Sequence, residues 1–499
     1  YDNSSLYCYA LLTHAKKIQR IKKLPIIVLD ENFSFIKKFF YKSFEINNIV
    51  YLNSFFFSLF ISIKKFKIIL KEFSKIYKIK SINDLSYNYN DIEISNIAYD
   101  SCLRFNLSGT VDNLKQFKFY ILKSLIVSIK LNYIFDHKKI NCFAGKENQF
   151  IPRANLFQYF LKRNCTCYFF FGPGNASSIR KFKRFSQRSI PRAYINKRFY
   201  LYAFSKKENF IKKAKDILDN KFLFKFHKNE LLDARHVFSN KHFNLSKDEF
   251  YKKYELDEKK KLVVVFSHNV YDGVFEIRRK LFIDNLIWLK KTLHLLSQNK
   301  NINVLVKKHP TEYSTKSIKD ITIKAIEEIP NLKYNNIIPY PENLSPTFIK
   351  QNASCIVTGH GTVGVEYACY GIPSVSCNNS PFSYCETSNE AKNYDEYAKF
   401  LENIDKIPTL NQNQIDKSLV LFFLINSVDK NENDFFDTEP DFHPSELVGF
   451  QKNFEYRFLE KIFKKLRNIK EVEQTNIYKK YLKFIGSSNY AMYDINKLK

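Results

Sequence analysis

The stretch Cys355–Tyr384, CIVTGHGTVGVEYACYGIPSVSCNNSPFSY, gathers residue types that handle phosphate. Gly359, Gly361 and Gly364 let the backbone turn tightly and come close to a ligand. Thr362 stands where a helix starting near Val363 is capped, Gly371 ends that helix, and Pro373 keeps it from restarting. A glycine turn feeding a helix N-terminus aims free N–H groups and the positive end of the helix dipole at an anion. The amides of Gly359, His360, Gly361, Thr362 and Val363 are therefore candidate phosphate donors. Glu366, one turn further in, is placed to accept hydrogen bonds from ribose hydroxyls. The segment is neither a Walker loop, for it lacks Gly-Lys-Ser/Thr, nor a GxGxxG fingerprint. The same residues also read as a βα turn that packs a helix on a sheet, with Glu366 as a partner of the helix dipole.

A second cluster supplies cations. Asn303–Lys308 reads as a buried strand followed by His309-Pro310-Thr311-Glu312. In open α/β sheets, ligands bind beyond the carboxyl ends of the strands. Lys308, His309, His360 and Thr362 converge on one rim if the strands ending at Lys307 and Thr358 are neighbours. Charge-assisted bonds to a phosphate are worth about 1.5–3 kcal/mol each. Ser267-His268-Asn269, with Asp272 and Gly273 next, follows the strand KLVVVFS. There His268 is a candidate contact to a bound phosphate or sugar, and the alternative is a loop capping the next helix. In NIAYDSCLR, Asp100 is a candidate general base for a hydroxyl, unless it forms an ion pair with Arg104. Arg153 is a candidate contact to an acidic ligand, or a surface arginine.

The elements that must position these residues alternate in type. Leu24–Leu29, Ile49–Leu52, Ile140–Ala144 and Cys165–Phe171 read as strands of one α/β half, with a helical stretch at Phe55–Tyr77 and a sharp loop at Gly172-Pro173-Gly174. The strands near 24–29, 140–144 and 165–171 are expected in one parallel sheet. A polar helical connection spans Glu208–Glu258. A second half runs through the strand Lys261–Ser267, the helix Arg278–Gln298, the strand Asn303–Lys307, the helix Ser317–Ile329, the strands Cys355–Thr358 and Pro373–Ser376, and the helices Asp395–Ile404 and Gln414–Ile425. Such alternation argues for parallel sheets covered by helices. The expected division is 1–240, 241–430 and a tail 431–499 holding an acidic loop, Glu432–Pro444, and a basic helix, Phe450–Ile469.

At 499 residues the chain exceeds one hydrophobic core, and 45% hydrophobic content is ample for burial. Nine cysteines without framework spacing point to a reducing, cytoplasmic setting. Phe55–Ile63 stays apolar for about nine residues, too short for a bilayer that needs roughly 20. The formal charge of +30 favours anionic membrane surfaces and anionic substrates. Part of it follows from a composition rich in Lys, Asn, Ile, Phe and Tyr. No nucleic-acid-binding pattern is present and the lysines are scattered among acids, so nucleic acid is not the expected partner. The densest basic run, Arg180–Arg192, reads as a solvated loop or as a membrane-surface or polyanion patch.

The pair VKKHPTE and TGHGTVGVEYACYGIPSV resembles the donor half of bacterial surface-polysaccharide glycosyltransferases of the GT-B type, including capsule-synthesis proteins and β-Kdo transferases. Gly361…Glu366…Gly371-Ile372-Pro373 is also similar to the nucleotide site of UDP-N-acetylglucosamine 2-epimerases. Phe266–Leu293 resembles the opening of the same half, and Asn96–Arg104 with Thr110 resembles a motif of the acceptor half. The resemblance implies two Rossmann-like domains facing a central cleft, with C-terminal helices crossing back. It implies that the glycine turn holds a diphosphate and the glutamate binds ribose. The expected reaction moves a sugar from a nucleotide-activated donor to a growing glycan or lipid-linked acceptor at the inner face of the cytoplasmic membrane. Lys308, His309 and the turn amides would stabilise leaving-group charge. With no DxD signature, no obligatory metal or other cofactor is expected beyond the nucleotide sugar itself. Transfer of a glycerol-phosphate-like group from a cytidine nucleotide, UDP-sugar epimerisation or hydrolysis, and a non-catalytic assembly role at the membrane stay open.

Overall fold

KLVVVF, INVLVK and ASCIVT are each apolar, largely β-branched and six residues long, and each is a strand in a computed structural model of the chain. The structure describes residues 5–31, 37–38, 41–42, 44–145, 147–171, 176–190, 193–222, 243–275, 281–330, 336–377, 380, 382–429, 431–432 and 476–498. Contacts group the chain into two units. One comprises Tyr1–Ala98, Asn113–Arg188 and Asp429–Asp494; the other comprises Tyr99–Asp112, Ser189–Val428 and Ile495–Lys499. One cut, between Val428 and Asp429, falls beside residue 430, and none falls at residue 240.

The second unit is built on six parallel strands. Their spatial order is Ser388–Glu390, Ser374–Ser376, Ala353–Thr358, Lys261–Phe266, Ile302–Lys307, Ile337–Pro339. Numbered along the chain and read from the far edge, the order is 3-2-1-4-5-6, that of a doubly wound dinucleotide-binding sheet. Val263, Val265, Val304, Val306 and Val357 on one face pack against Trp288, Leu289, Ala325, Tyr397 and Leu401 of the covering helices. The Trp288 indole N–H is satisfied inside this core by the Tyr397 hydroxyl at 2.9 Å. Helix Glu208–Phe222 buries Phe210, Ala214, Leu218 and Phe222, one residue per turn, and Phe210 stacks on Phe423 of helix Gln412–Phe423. Burial on both faces is why these strands read as continuous apolar runs instead of alternating ones. Gly364 has a packing reason: a Cβ there would lie 2.4 Å from the buried Phe382 ring. The expected helix from Arg278 starts at Asn285, behind Asp284 as N-cap; Arg278 itself lies outside the described residues.

The first unit departs from expectation. Val28–Asp30 pairs with Ile49–Tyr51 alone, in a two-stranded parallel sheet. Cys142–Gly145 runs parallel to Thr166–Phe171, but the next strand, Ala176–Phe182, is antiparallel. Two short segments, Asn431–Glu432 and Ala491–Met492, add to that strand, also antiparallel. The single parallel sheet expected from residues 24–29, 140–144 and 165–171 is therefore split, and the larger piece is mixed. Leu24–Leu29 and Ile140–Ala144 face a common cavity of about 510 Å³ instead of sharing hydrogen bonds, and Leu11, Leu12, Ala15 and Ile18 of helix Ser5–Lys22 line it too.

The basic run is also corrected. Its opening residues form a core strand: the Arg180 guanidinium donates to both carboxylate oxygens of Asp429, at 2.7 and 2.6 Å, with both side chains buried. Lys181 Nζ donates to the carbonyls of Phe484 and Ser487 at 2.6 and 2.7 Å. Arg188 pairs with Glu93 and lies over the Phe185 ring. Arg180, Lys181 and Arg188 are thus held by distant parts of the chain, while Lys183 and Arg184 are exposed. Gly172-Pro173-Gly174, residues 191–192, the acidic loop beyond Glu432 and the basic helix Phe450–Ile469 lie outside the described residues. The described C-terminal segment of this unit is helix Asn476–Gly486, whose Tyr481 hydrogen-bonds and stacks with His14 of helix Ser5–Lys22. Cys102, Cys142, Cys165, Cys167, Cys355, Cys369, Cys377 and Cys385 are free, and no described helix is long and apolar enough to cross a membrane.

Candidate functional site

In the second unit's sheet, the strands Lys261–Phe266 and Ala353–Thr358 lie side by side where the winding reverses. The loops leaving their carboxyl ends border the crevice in which doubly wound sheets bind ligands. The strands ending at Lys307 and Thr358 are not neighbours, as had been expected; Lys261–Phe266 lies between them. His268, from its loop, fills the gap.

His268 Nε2 accepts hydrogen bonds from the Gly359 and His360 amides at 2.8 and 3.3 Å, and lies 3.1 Å from Thr358 Oγ1. Its proton therefore sits on Nδ1. The imidazole stacks on that of His360 with centroids 4.4 Å apart. Burial, reinforced by His360 and His309, holds the pKa of His268 well below 6.5. Burial alone lowers His360 to about 4. The Gly361 amide donates to Thr358 Oγ1 at 3.1 Å. The first three amides of the turn are thus engaged within the protein, and those of Thr362 and Val363 make no hydrogen bond among the described residues. His360 Nδ1 is buried without a hydrogen-bond partner there. The glycine at 361 is required by proximity: a Cβ would come within 2.9 Å of Thr358 Oγ1 and 3.3 Å of the His268 ring.

On the adjoining strand, His309 Nδ1 accepts from the Thr311 amide at 3.2 Å and lies 2.9 Å from its hydroxyl, which leaves the ring proton on Nε2. Glu312 is buried, and burial raises its pKa. It ties the rim together by accepting from Thr322 N, His309 N and the Ser267 hydroxyl at 3.1, 3.3 and 3.3 Å. Lys308 turns to Asp320 at 2.6 Å. Its neighbour Lys307, on the opposite face of the strand, lies 4.0 Å from the Tyr340 ring centroid, and burial lowers it to about 7. Glu366 is buried; it accepts from Thr362 Oγ1 at 3.2 Å and pairs with Lys221 at 2.8 Å.

The NIAYDSCLR motif acts on the first loop of the same unit. Asp100 accepts from the amides of Val274 and Phe275, each at 3.1 Å, one on each carboxylate oxygen. A Cβ on Gly273 would lie 2.5 Å from Asp100 Oδ2, so only glycine fits beneath it. Arg104 meets Asp272 at 3.4 Å and lies over the Tyr271 ring, where a pair with Asp100 had been weighed. Tyr99 and Thr110 both donate to Asp284 at 2.7 Å, and Asp284 also caps the next helix through the Ile287 amide. The motif thus holds Asp272, Val274, Phe275 and Asp284. Arg153 belongs to the first unit and pairs with Glu147.

Sequence reasoning missed Asp284, Lys221 and Lys307. Asp284 carried a signal, as an N-cap residue before an apolar helix; Lys307 carried another, as a lysine continuing the apolar pattern of a buried strand. Lys221 carried none, because its partner lies far along the chain. Among the described residues, no three His, Cys, Asp or Glu side chains gather in a way that could hold a metal ion.

The buried histidine pair has a testable consequence. An unfolded histidine binds a proton below pH about 6.5, whereas folded His360 resists to about 4. The unfolded state binds more protons in that window, so stability is full above pH 6.5 and falls as the pH drops toward 4, by up to about 3 kcal/mol for His360. Urea unfolding between pH 7.5 and 4.5 checks this: His360→Phe should flatten the slope, and an unchanged slope would rule the histidine out as its source.

Fold and site together make the second unit a doubly wound α/β sheet whose polar groups collect at the switch point. No family model matches the chain, and no curated protein matches it. Among solved structures it is similar to Thermosulfurimonas dismutans KpsC, a beta Kdo 2,4 transferase, at 8% identity over 54% of this chain and 76% of that chain, with a TM-score of 0.30.

Proposed function

We propose that the protein is a glycosyltransferase of the GT-B type, moving a sugar from a nucleotide-activated donor to a growing bacterial surface polysaccharide. The observation that carries this reading is the strand order of the second unit, with the Gly359–Val363 turn and three histidine-bearing loops at its switch point. The Thr362 and Val363 amides, His360 Nδ1 and His309 Nε2–H supply hydrogen-bonding groups for a diphosphate. The sequence resemblance assigns the same turn to phosphate and Glu366 to ribose. His268 then serves as a positioning residue: its Nε2 fixes the Gly359 and His360 amides, which shapes the turn before any ligand arrives. Lys307, near neutrality when empty, would hold its proton more firmly beside an anion. Asp100 and Arg104 act by holding Asp272, Val274 and Phe275; the general base for the acceptor is open to mutagenesis. The reaction needs no cofactor beyond its donor.

The reading is tested by calorimetry with UDP, GDP, CMP and CDP. One nucleotide should bind with a clear preference, and Glu366→Ala should weaken it about tenfold or more, the value of one or two hydrogen bonds to a charged group. Absence of binding by all four would overturn the proposal. A lower melting temperature with unchanged affinity would leave Glu366 as a partner of Lys221 alone.

A further inference from the structure

We infer that helices Phe55–Lys64 and Phe66–Tyr77 form a face that docks on an anionic lipid surface. Nineteen large apolar side chains are exposed among the described residues, and ten of them fall in these two helices. Phe55, Phe56 and Ile63 are 71, 80 and 70% exposed, and Leu59, Phe60 and Phe66 continue the stripe. The spacing 55, 59, 63 and 56, 60 puts them on one side of the first helix. The inward side is partly polar. Lys130 Nζ reaches Ser58 Oγ and the Leu52 carbonyl at 2.8 and 2.7 Å, and the buried Glu72 takes Lys75 and the Tyr87 hydroxyl at 2.8 and 3.0 Å. A helix of a water-soluble surface shows the reverse arrangement. Scattered exposed apolar residues are ordinary, but a contiguous patch of this kind marks an interaction surface.

The charges name the occupant. Between Phe55 and Asn83 the one acid is Glu72, which is buried and paired, while Lys64, Lys67, Lys71 and Lys78 are exposed. Protein interfaces are depleted of lysine, and a second copy of this face would set lysine against lysine. An anionic bilayer accepts both components, phenyl rings at the acyl boundary and ammonium groups among the headgroups. Helices of 10 and 12 residues are too short to span a hydrocarbon core of about 30 Å, so they lie in the interface. Phe119 widens the patch, since its near neighbour Lys118 donates to the Tyr77 carbonyl at 2.8 Å. The face belongs to the first unit and stands whether or not the transferase reading holds.

The test is co-sedimentation of the full chain with phosphatidylcholine vesicles, with and without phosphatidylglycerol. Binding should be at least tenfold stronger with phosphatidylglycerol and should weaken with salt. The double substitution Phe56→Ser with Phe60→Ser should lower it at least tenfold, and Lys64→Glu with Lys67→Glu should remove the preference for phosphatidylglycerol. A second readout does not require the apolar face to be damaged. Phe56→Trp should shift its emission to the blue on vesicles and be quenched by brominated acyl chains, against the buried Trp288, the chain's other tryptophan in that variant. Failure to bind vesicles, or binding indifferent to Phe56 and Phe60, would overturn the inference. So would a dimer that the same double substitution abolishes while no vesicles are bound.

Discussion

His309→Ala should lower kcat of sugar transfer about 100-fold and leave KM within a few-fold. The loss, about 3 kcal/mol, is that of one donor aimed at developing charge. Charge on the leaving nucleotide builds mainly in the transition state, so a group that meets it there affects turnover more than binding. The geometry favours His309 for this role over its neighbour. Thr311 takes the Nδ1 side and fixes an Nε2–H donor, whereas Lys308 is held by Asp320. His309→Gln, which keeps an N–H, should recover part of the rate. A fall carried entirely by KM would make His309 a ground-state contact, and an unchanged rate would remove it from the reaction.

Asp429→Ala should destabilise the first unit by about 3–5 kcal/mol, because it leaves the buried Arg180 guanidinium without its bidentate partner. That is a large fraction of the 5–15 kcal/mol by which domains are typically stable. Replacing both partners, Arg180→Met with Asp429→Leu, should restore most of the loss, since an apolar pair of similar volume avoids the stranded charge. Urea unfolding of the three variants decides it. A loss under about 1 kcal/mol for Asp429→Ala would mean that water reaches the pair.

These two sites also mark how far the chain could be read in advance. Four of the six strands of the second unit were legible to within two residues, and the longest three are written largely in Val, Ile and Leu because they are buried on both faces; the three-residue edge strands Ile337–Pro339 and Ser388–Glu390 were not read at all. Their order was not: whether Lys307 ends beside Thr358 or one strand away depends on pairing, which apolar runs do not encode. The glycine turn was legible as a turn, but the acceptor for its amides is His268, 91 positions earlier. NIAYDSCLR stood out as a cluster, yet its partners Asp272, Val274, Phe275 and Asp284 lie 168 to 185 positions away, so its clamping role was hidden. The strand Ala176–Phe182 was concealed altogether. Arg180 and Lys181 look solvated until the groups that satisfy them, 249 and about 300 positions on, are known.

That last separation bears on how the chain matures at the ribosome. The sheet of the second unit draws on one continuous stretch, Lys261 to Glu390, and can close once that stretch has emerged. The sheet of the first unit is begun earlier but needs Asn431–Glu432 and Ala491–Met492. At about 5–20 residues per second, Arg180 waits roughly 10–50 seconds for Asp429. During that interval Thr166–Phe171 and Ala176–Phe182 present an unfinished edge rich in phenylalanine, with an uncompensated guanidinium that cannot yet be buried. The earlier-begun sheet is thus the later one to be completed, and the sheet of the second unit can close first.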